Sequence, residues 1–340
     1  MNSKRIGSQT VSLENPPSII ASAAVGGKLE GEGPLGKCFD FISEDAYFGT
    51  KSWETAESAM LKKCFDLGIS KAGVEPAQLD YIFSGDLLNQ CVGSAFAIKD
   101  SGAPFFGLYG ACSTMAEGLS LAAMALDGGF ASTVCAMTSS HFCSAERQFR
   151  LPLTYGGQRT PTAQWTATAA GALILKAEGK GPRVTHITTG KIVDGGICDG
   201  ANMGAAMAPA ALETLCTHFS DTGRSPDYYD AIVTGDLGLI GHEILLELAA
   251  FEGFDLSALC TDCGMLIFDR QRQDVHAGGS GCGCSASLLA GHFLPKMQSG
   301  ELKKLLFAAT GALMSPTTAL QGESILGICH AVAIEMPADN

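Results

Sequence analysis

The chain has 340 residues, with 35 acidic against 22 basic side chains and a formal net charge of -13. Hydrophobic residues make up 46% and charged residues only 17%, a balance typical of a compact α/β protein and not of a disordered chain. Because no run of Lys or Arg offsets the negative charge, the composition argues against nucleic acid or anionic lipid as a direct ligand.

Short buried runs alternate with helical patterns along the chain, which is typical of parallel strands joined by crossover helices. For the first half, residues 1–177, we predict strands at 81–84, 105–108, 133–137 and 170–175. For the second half, residues 229–340, we predict strands at 231–234, 265–268, 305–309 and 328–334. Residues 178–228 hold extra Gly, Pro and Asp, and we predict that they connect the halves.

An internal repeat indicates that the two halves are similar. DYIFSGDL at 80–87 returns as DAIVTGDL at 230–237, and GACS at 110–113 has a counterpart in GCGCS at 281–285. This alignment pairs Cys112 with Cys284. The sequence therefore predicts one α/β body built from two duplicated halves.

The apolar stretches are too short for a membrane span, which needs about 18 consecutive apolar residues. The best of them, 119–126 and 244–251, are short and amphipathic. The segment after Lys4 and Arg5 lacks the apolar stretch of a signal peptide. We therefore expect a chain that neither spans a bilayer nor is secreted.

The thirteen cysteines are odd in number and scattered among apolar residues, which favours buried thiols in a reducing compartment over a disulfide framework. A zinc site could in principle combine the CxxC of Cys260 and Cys263 with the CxC of Cys282 and Cys284. The unequal spacings favour small core-filling residues instead.

The segment GACST at 110–114 predicts a pocket. The chain leaves a strand, turns on Gly110 and enters a helix, which places Cys112 at the positive end of the helix. Thr114 and Glu117 have the spacing of a capping box, and Ser113 is an alternative cap. Such a position lowers the pKa of a thiol and attracts an anion or a polarised carbonyl.

The doubled half, the ACS elbow and the segment ATGALMSP at 309–316 resemble the thiolase-like fold of condensing enzymes. The resemblance implies a five-layer α-β-α-β-α arrangement in which the elbow cysteine attacks a thioester, assisted by a His and an Asn from the second half. Residues 234–236, where the His should lie, are Thr-Gly-Asp, and residues 282–284, where the Asn should lie, are Cys-Gly-Cys. The adjacent Cys329 and His330 do not reproduce the thiolase motifs either. The nucleophile is present, and its partners are missing.

Over nearly its whole length the chain resembles the stage V sporulation protein AD family of endospore-forming bacteria. The resemblance is carried by GPLG at 34–37, GDLLNQ at 85–90, GACST at 110–114, TSSH at 138–141, AERQFR at 145–150, YGGQ at 155–158, MAPAA at 207–211, DCG at 262–264 and GGSGCGCSA at 278–286. It implies binding of dipicolinic acid (pyridine-2,6-dicarboxylate), and movement of this ligand with calcium into and out of the spore core.

The candidate ligand-binding residues follow from the elbow and from this resemblance. The backbone amides of Ser113, Thr114 and Met115 would supply donors to a dianion, with Cys112 as a wall of the site. His141 lies at the carboxyl end of a predicted strand, where ligands of α/β proteins usually bind. Its alternative role is to cap a loop.

Further candidates carry charge or follow from the repeat. Asp86 could meet chelated calcium or a donor group beside it, whereas its equivalence to Asp236 in the repeat favours a turn role for both. Arg159 is a candidate for pairing with a ligand carboxylate, as are Arg147 and Arg150, although surface positions are expected for at least two of the three. The remaining candidate residue is Cys284.

Three functions remain open at this point: a non-catalytic dipicolinate-binding protein, a ketoacyl synthase III-type acyltransferase using Cys112, and a purely structural subunit of a membrane assembly. The sequence predicts neither a resident cofactor nor a metal, apart from calcium brought by the ligand. The resemblance implies the other stage V sporulation A membrane proteins as partners, and a location on the cytoplasmic side, peripheral to the spore inner membrane. Thiolase-like proteins commonly pair through a strand edge near the elbow, so the resemblance allows a homodimer, and the sequence equally allows a heteromeric contact.

Overall fold

The computed structural model describes residues 4–149 and 159–337. Its strands are β1 (Thr10–Ser12), β2 (Ser18–Gly27), β3 (Phe41–Ser43), β4 (Tyr81–Gly85), β5 (Phe105–Leu108), β6 (Thr133–Ser140), β7 (Trp165–Thr166), β8 (Ala169–Lys176), β9 (Arg183–Thr188), β10 (Val193–Asp194), β11 (Ala231–Thr234), β12 (Cys260–Asp262), β13 (Gly279–Ser280), β14 (Lys304–Leu313) and β15 (Leu326–Glu335). Its helices are α1 (Lys28–Gly31), α2 (Trp53–Ala72), α3 (Val92–Ile98), α4 (Thr114–Asp127), α5 (Phe142–Phe149), α6 (Met203–Thr222), α7 (Gly238–Phe251), α8 (Cys263–Leu266), α9 (Cys282–Leu288), α10 (Leu294–Gln298) and α11 (Pro316–Leu320).

The main strands form two groups with the same order. The first runs β5-β4-β6-β8-β2 and the second runs β12-β11-β14-β15-β9. In both groups the first three strands are parallel and the last two pair antiparallel. The groups are linked by the single pair Ser18 and Arg183. The predicted duplication is therefore present in three dimensions.

Helices lie on both sides of each strand group and between the groups. α2 packs on the outer face of the first group and α6 on that of the second, while α4 contacts strands of both. α9 packs on β8, β6 and β2 from the inner side. This arrangement gives the expected α-β-α-β-α layers.

Three apolar cores follow the layers. The central core contains one stripe of α4, with Met115, Leu119, Ala122, Ala123 and Leu126 all buried. One outer core lies under α2 and the other under α6 and α7. Burial of α4 against strands from both halves holds the elbow that precedes it in a fixed position.

Residues 178–228, predicted as a connection, contain two regular elements. β9 is the last strand of the second group, and α6 packs on β15 and β14. Both elements have counterparts in the first half, where β2 and α2 hold the same places. The predicted boundaries at 177 and 229 stay a prediction.

The strand predicted at 265–268 is wrong. The edge strand β12 ends at Asp262, and α8 follows directly. The Asp262 carboxylate accepts a hydrogen bond from the Met265 amide at 3.2 Å, which caps the new helix. The apolar run beyond Asp262 is therefore buried as a helix and turn instead of a strand.

No helix within residues 4–149 and 159–337 combines the length and the apolar character that crossing a bilayer requires.

Candidate functional site

The elbow before α4 is a tight turn held by the second half of the molecule. Ala111 has a φ of 50°, in the left-handed region, and a 3₁₀ turn covers Ala111–Ser113 before α4 begins. Gly311 of β14 lies so close that a Cβ there would be 2.6 Å from the Gly110 carbonyl oxygen. A larger residue at 311 would therefore push the elbow away from β14.

Hydrogen bonds within this turn use donors that the sequence assigned to a ligand. The Ser113 amide donates to Gly110 O at 3.0 Å, and the Thr114 amide donates to Ala111 O. The hydroxyls of Ser113 and Thr114 donate to the same two carbonyls, each at 2.7 Å. The prediction that these two amides point freely at an anion is wrong, because a 3₁₀ turn precedes the helix and satisfies them.

The capping box predicted from Thr114 and Glu117 is also wrong. Thr114 is the first residue of α4, so it does not occupy the cap position, and Ser113 at that position makes no side-chain cap bond. Glu117 instead turns back toward the elbow, where a Cβ on Gly110 would be 2.4 Å from its Oε2. Within the described residues, that buried oxygen has no hydrogen-bond partner.

The Cys112 thiol lies against polar groups of the second half. Its Sγ is 4.0 Å from the Ser280 hydroxyl, and Ser280 donates to the Asp236 carboxylate at 3.1 Å. Asp236 also accepts the Gly281 amide at 2.9 Å and the Thr310 hydroxyl at 3.0 Å. All of these side chains are buried, so the thiol lies close to a carboxylate that accepts hydrogen bonds from three donors.

This environment suppresses the nucleophile. Burial, and then the charge of Asp236, raise the pKa of the Cys112 thiol well above its ordinary value. Burial also raises the pKa of Asp236, although its hydrogen bonds oppose that shift. A thiol beside an anion keeps its proton, whereas a reactive cysteine needs a positive neighbour. The sequence predicted that the start of α4 would lower the pKa of this thiol, and burial together with the Asp236 charge outweighs that effect.

Cys282, and not Cys284, lies in the same small buried cluster as Cys112. The cluster consists of Leu87, Cys112, Ala145 and Cys282. The Cys282 thiol donates to Ser139 O at 2.9 Å. Cys284, the counterpart of Cys112 in the repeat, belongs to the central core and is completely buried.

A buried acid lies behind this cluster. Glu57 of α2 accepts hydrogen bonds from Ser139 at 3.1 Å and from Ser144 at 2.6 Å. Burial, together with the nearby charge of Asp86, raises the pKa of Glu57 to about 8. Because the Ser139 carbonyl also accepts a hydrogen bond from the Cys282 thiol, the end of β6 connects Glu57 to the Cys112 site.

Asp86 organises a turn. Its carboxylate accepts the Leu88 amide at 2.9 Å and the Ser94 amide at 2.7 Å, tying β4 to α3. Burial raises the pKa of Asp86, and these hydrogen bonds oppose the shift. Of the two equivalent aspartates, Asp236 is therefore the one that reaches Cys112.

The structure places His141 in a backbone-binding position. Its Nε2 lies 2.8 Å from Ala46 O, and its Nδ1 accepts the Cys143 amide at 3.2 Å. Burial lowers the pKa of His141, so the ring is neutral near pH 7. These two hydrogen bonds agree with the alternative role predicted for His141, which is to cap a loop.

The arginine candidates are held by protein groups. Arg159 donates to Asp274 O and Gln164 O and lies over the Trp165 ring, 4.9 Å from its centroid. Arg147 pairs with Glu54, with its Nε 3.0 Å from the carboxylate. Arg150 lies outside the described residues.

The thirteen cysteines are all free thiols. Neither the CxxC nor the CxC pair joins further ligands into a group of three or more that could hold a metal ion, as far as the described chain extends.

Sequence reasoning found the elbow but did not assign Asp236, Ser280, Cys282 or Glu57 to the site. Asp236 could have been found, because the repeat places it at the end of the strand where the condensing enzymes carry their His. Ser280 and Cys282 reach Cys112 across more than 160 positions of chain, so no local pattern reveals that contact.

Three solved structures define the class of protein. A 3-oxoacyl-[acyl-carrier-protein] synthase III from Aquifex aeolicus has a TM-score of 0.57 at 14% identity, covering 94% of this chain and 99% of that one. The 3-oxoacyl-(acyl carrier protein) synthase III from Xanthomonas oryzae has a TM-score of 0.60 at 13% identity, and the match covers 94% of this chain and 98% of that one. OleA from Xanthomonas campestris has a TM-score of 0.61 at 12% identity, and the match covers 95% of this chain and 97% of that one. The chain therefore has a thiolase-like fold.

The sequence comparisons then give the family. The family model for stage V sporulation protein AD matches residues 7–335. Stage V sporulation protein AD of Bacillus subtilis is 40% identical over 332 residues, which is 98% of each chain. This chain belongs to the stage V sporulation protein AD family.

Proposed function

We propose that this chain binds dipicolinic acid at the Cys112 site without catalysing a reaction on it. The observation that carries the proposal is that, in a member of this family, the Cys112 thiol lies 4.0 Å from the hydroxyl of Ser280, which donates to the buried Asp236 carboxylate. The resemblance to the family implies the ligand. The geometry supports the loss of chemistry, because a carboxylate next to the sulfur opposes formation of the thiolate.

The charge of the site favours the calcium chelate over the free dianion. Asp236 lies beside Cys112, and Asp86 lies behind Cys282. A dianion that approaches these acids is repelled, whereas the one-to-one calcium chelate carries no net charge. The proposed ligand is therefore calcium dipicolinate, with the cation travelling as part of the cargo.

Titration calorimetry tests the ligand. We expect the wild-type protein to bind calcium dipicolinate more tightly than dipicolinate in the presence of a calcium chelator. Asp236→Asn removes the repelling charge, so the free dianion should gain affinity about tenfold or more, while the chelate changes little. Cys112→Ala should weaken both ligands, and Cys198→Ala, at an exposed cysteine, serves as the matched control.

Absence of heat at millimolar ligand, in either form, would remove the proposal. Equal effects of Asp236→Asn on both ligand forms would retain binding but contradict the charge argument.

The acyltransferase alternative has a direct test as well. The thiolase-like elbow and its cysteine are preserved, so an acyl-enzyme would form on Cys112 if the thiol were reactive. We expect the intact mass to stay unchanged after incubation with acyl-coenzyme A. An added acyl group that disappears in Cys112→Ala would establish the enzyme instead.

A role in moving this ligand requires integral membrane partners. We propose that the other stage V sporulation A proteins supply the passage, with this chain peripheral to the spore inner membrane on its cytoplasmic side. Variants of the Cys112 site should then assemble with those proteins and fail in dipicolinate uptake. Normal uptake by such variants would favour the purely structural role.

A further inference from the structure

The β4–α3 loop, residues 86–91, lies over the Cys112 site. It joins the end of β4 to the start of α3, and its Leu87 side chain belongs to the same small buried cluster as Cys112. Asn89 and Gln90 of this loop are exposed. One side of the loop therefore rests on the site and the other side is in solvent.

The backbone of the loop is strained at its last two residues. Gln90 has a φ of 61° and Cys91 a φ of 52°, and both values lie in the left-handed region that residues other than glycine rarely adopt. Strained residues of this kind persist only where surrounding contacts hold them. Release of those contacts would let the loop relax into another conformation.

Two hydrogen bonds hold the loop against the end of β5. The Tyr109 hydroxyl donates to Leu87 O at 3.1 Å, and the Cys91 thiol donates to Leu108 O at 3.0 Å. A thiol is a weak donor, so Tyr109 supplies the stronger of the two bonds. Both bonds can break while Asp86 keeps the start of the loop attached to α3.

Tyr109 reaches from the surface to the buried cluster. The residue is 47% exposed, yet its hydroxyl is bound at Leu87. Burial raises the pKa of the phenol to about 12, and the nearby Cys282 and Asp86 act in the same direction. The phenol therefore keeps its proton near pH 7 and remains a donor to Leu87.

We propose that the β4–α3 loop is a lid on the Cys112 site and that Tyr109 is the residue that holds it closed. Breaking the bond to Leu87 lets the loop move away from β5, which takes the Leu87 side chain off Cys112 and opens a path to the sulfur. The proposal rests on the proposed function for the identity of the ligand that uses this path. Opening itself depends on this chain alone and can be measured without a ligand.

The rate at which N-ethylmaleimide labels Cys112 in the folded protein during long incubation measures opening, with mass spectrometry of peptides as the readout. Tyr109→Phe removes the hydroxyl and keeps the ring, so we expect this rate to rise at least about threefold. Tyr81→Phe makes the same change at the other end of β4 and should leave the rate unchanged. Cys135, fully buried in the outer core under α2, reports general unfolding and should be labelled equally in all three proteins.

A disulfide can lock the lid. A Cβ on Gly107 of β5 would lie 3.8 Å from the Cβ of Cys91, a separation typical of disulfides. In Gly107→Cys, oxidised glutathione joins the two thiols in a disulfide and leaves as two molecules of reduced glutathione. We expect the oxidised variant to be labelled at Cys112 at least about tenfold more slowly than its reduced form, which is the matched control. Calcium dipicolinate should associate with the oxidised form more slowly by a similar factor, as measured by surface plasmon resonance.

The lid is overturned if Tyr109→Phe leaves the labelling of Cys112 unchanged, or if Cys135 gains as much as Cys112. Equal labelling of Cys112 in the oxidised and reduced forms of Gly107→Cys would also overturn it. Failure of the ligand proposal gives a different result, in which neither form binds dipicolinate although their labelling rates differ. That result would retain the lid and remove dipicolinate as its ligand.

Discussion

Asp236 determines what Cys112 can do. In a condensing enzyme, the resemblance implies a histidine at this strand end that supports the cysteine during thioester attack. Here a buried carboxylate occupies the place, and Ser280, Gly281 and Thr310 hold it there by hydrogen bonds. This carboxylate raises the pKa of the Cys112 thiol while the elbow stays in place.

Glu57 makes stability depend on pH. Its pKa is about 8 in the folded protein, because of burial and the charge of Asp86, against an ordinary value of 4.5. The folded state therefore holds this proton more tightly than the unfolded state. The resulting contribution to the free energy of unfolding is complete below about pH 4.5 and is lost as pH rises through about 8.

Buried histidines with lowered pKa values, such as His186 and His330, act in the opposite direction up to about pH 6.5, so the effect of Glu57 is measured by comparison. We expect the melting temperature of Glu57→Gln to fall less, or rise more, than that of the wild type between about pH 5 and 8. Differential scanning calorimetry across this range measures it. Glu30 and Asp262, whose pKa values burial raises to about 7, contribute with the same sign, so the slope should shrink without vanishing. Glu54→Gln, at a half-buried position on the same helix, should leave the slope intact. The same pH dependence in Glu57→Gln as in the wild type would contradict the assignment.

At the scale of elements, β5 ends the first strand group with its outer edge unpaired within the described residues. Its aromatic side chains are exposed: Phe106 is 50% and Tyr109, just beyond the strand, 47% accessible. An unpaired apolar edge is a template for pairing with another chain. A second copy that pairs antiparallel across a twofold axis would extend the sheet and cover both residues.

We therefore expect a homodimer through β5. Sedimentation equilibrium should give twice the mass of the chain, and Phe106→Glu should weaken the dimer at least about tenfold by placing a charge in the contact. Phe130→Glu, at a position 76% exposed elsewhere, is the control. A wild-type monomer at micromolar concentration would rule the dimer out.

The elements also show what sequence patterns can predict. The strands at 81–84 and 133–137 were found because both of their faces are buried, which leaves a continuous apolar run. The strand at 265–268 failed because such a run also suits a buried helix, and the cap from Asp262 decided between them. β9 was missed because polar residues interrupt its apolar positions.

The residues of the Cys112 site were likewise predicted only where a local sequence pattern marks them. Cys112 was found because its turn is a local pattern of strand, glycine and helix. The contacts of Cys112 with Ser280 and Asp236 depend on how two halves pack, and a sequence shows no distance between residues so far apart. The donors were misjudged because the pattern does not distinguish a 3₁₀ start from an α-helical one.

At the scale of the whole molecule, the fold does without covalent cross-links. All thirteen cysteines are thiols: nine are buried, Cys38, Cys143 and Cys216 are half-buried, and Cys198 is exposed. We expect a thiol reagent to titrate Cys198 quickly, the half-buried three slowly and the other nine only after unfolding. The melting temperature should not change on adding a reductant. A cysteine count that rises with reductant in the denatured protein would reveal a disulfide and contradict this expectation.

The division of the Cys112 site between the two halves has a consequence for fragments of the protein. Cys112 comes from the first half and Asp236 and Ser280 from the second, so a fragment carrying either half inherits an incomplete set of groups. Because β1 also pairs with β9 and β7 with β13, reassociation of separately produced fragments would restore backbone pairing between the halves as well as side-chain packing around α4. Recovery of ligand binding on mixing them would therefore report the whole contact between the halves.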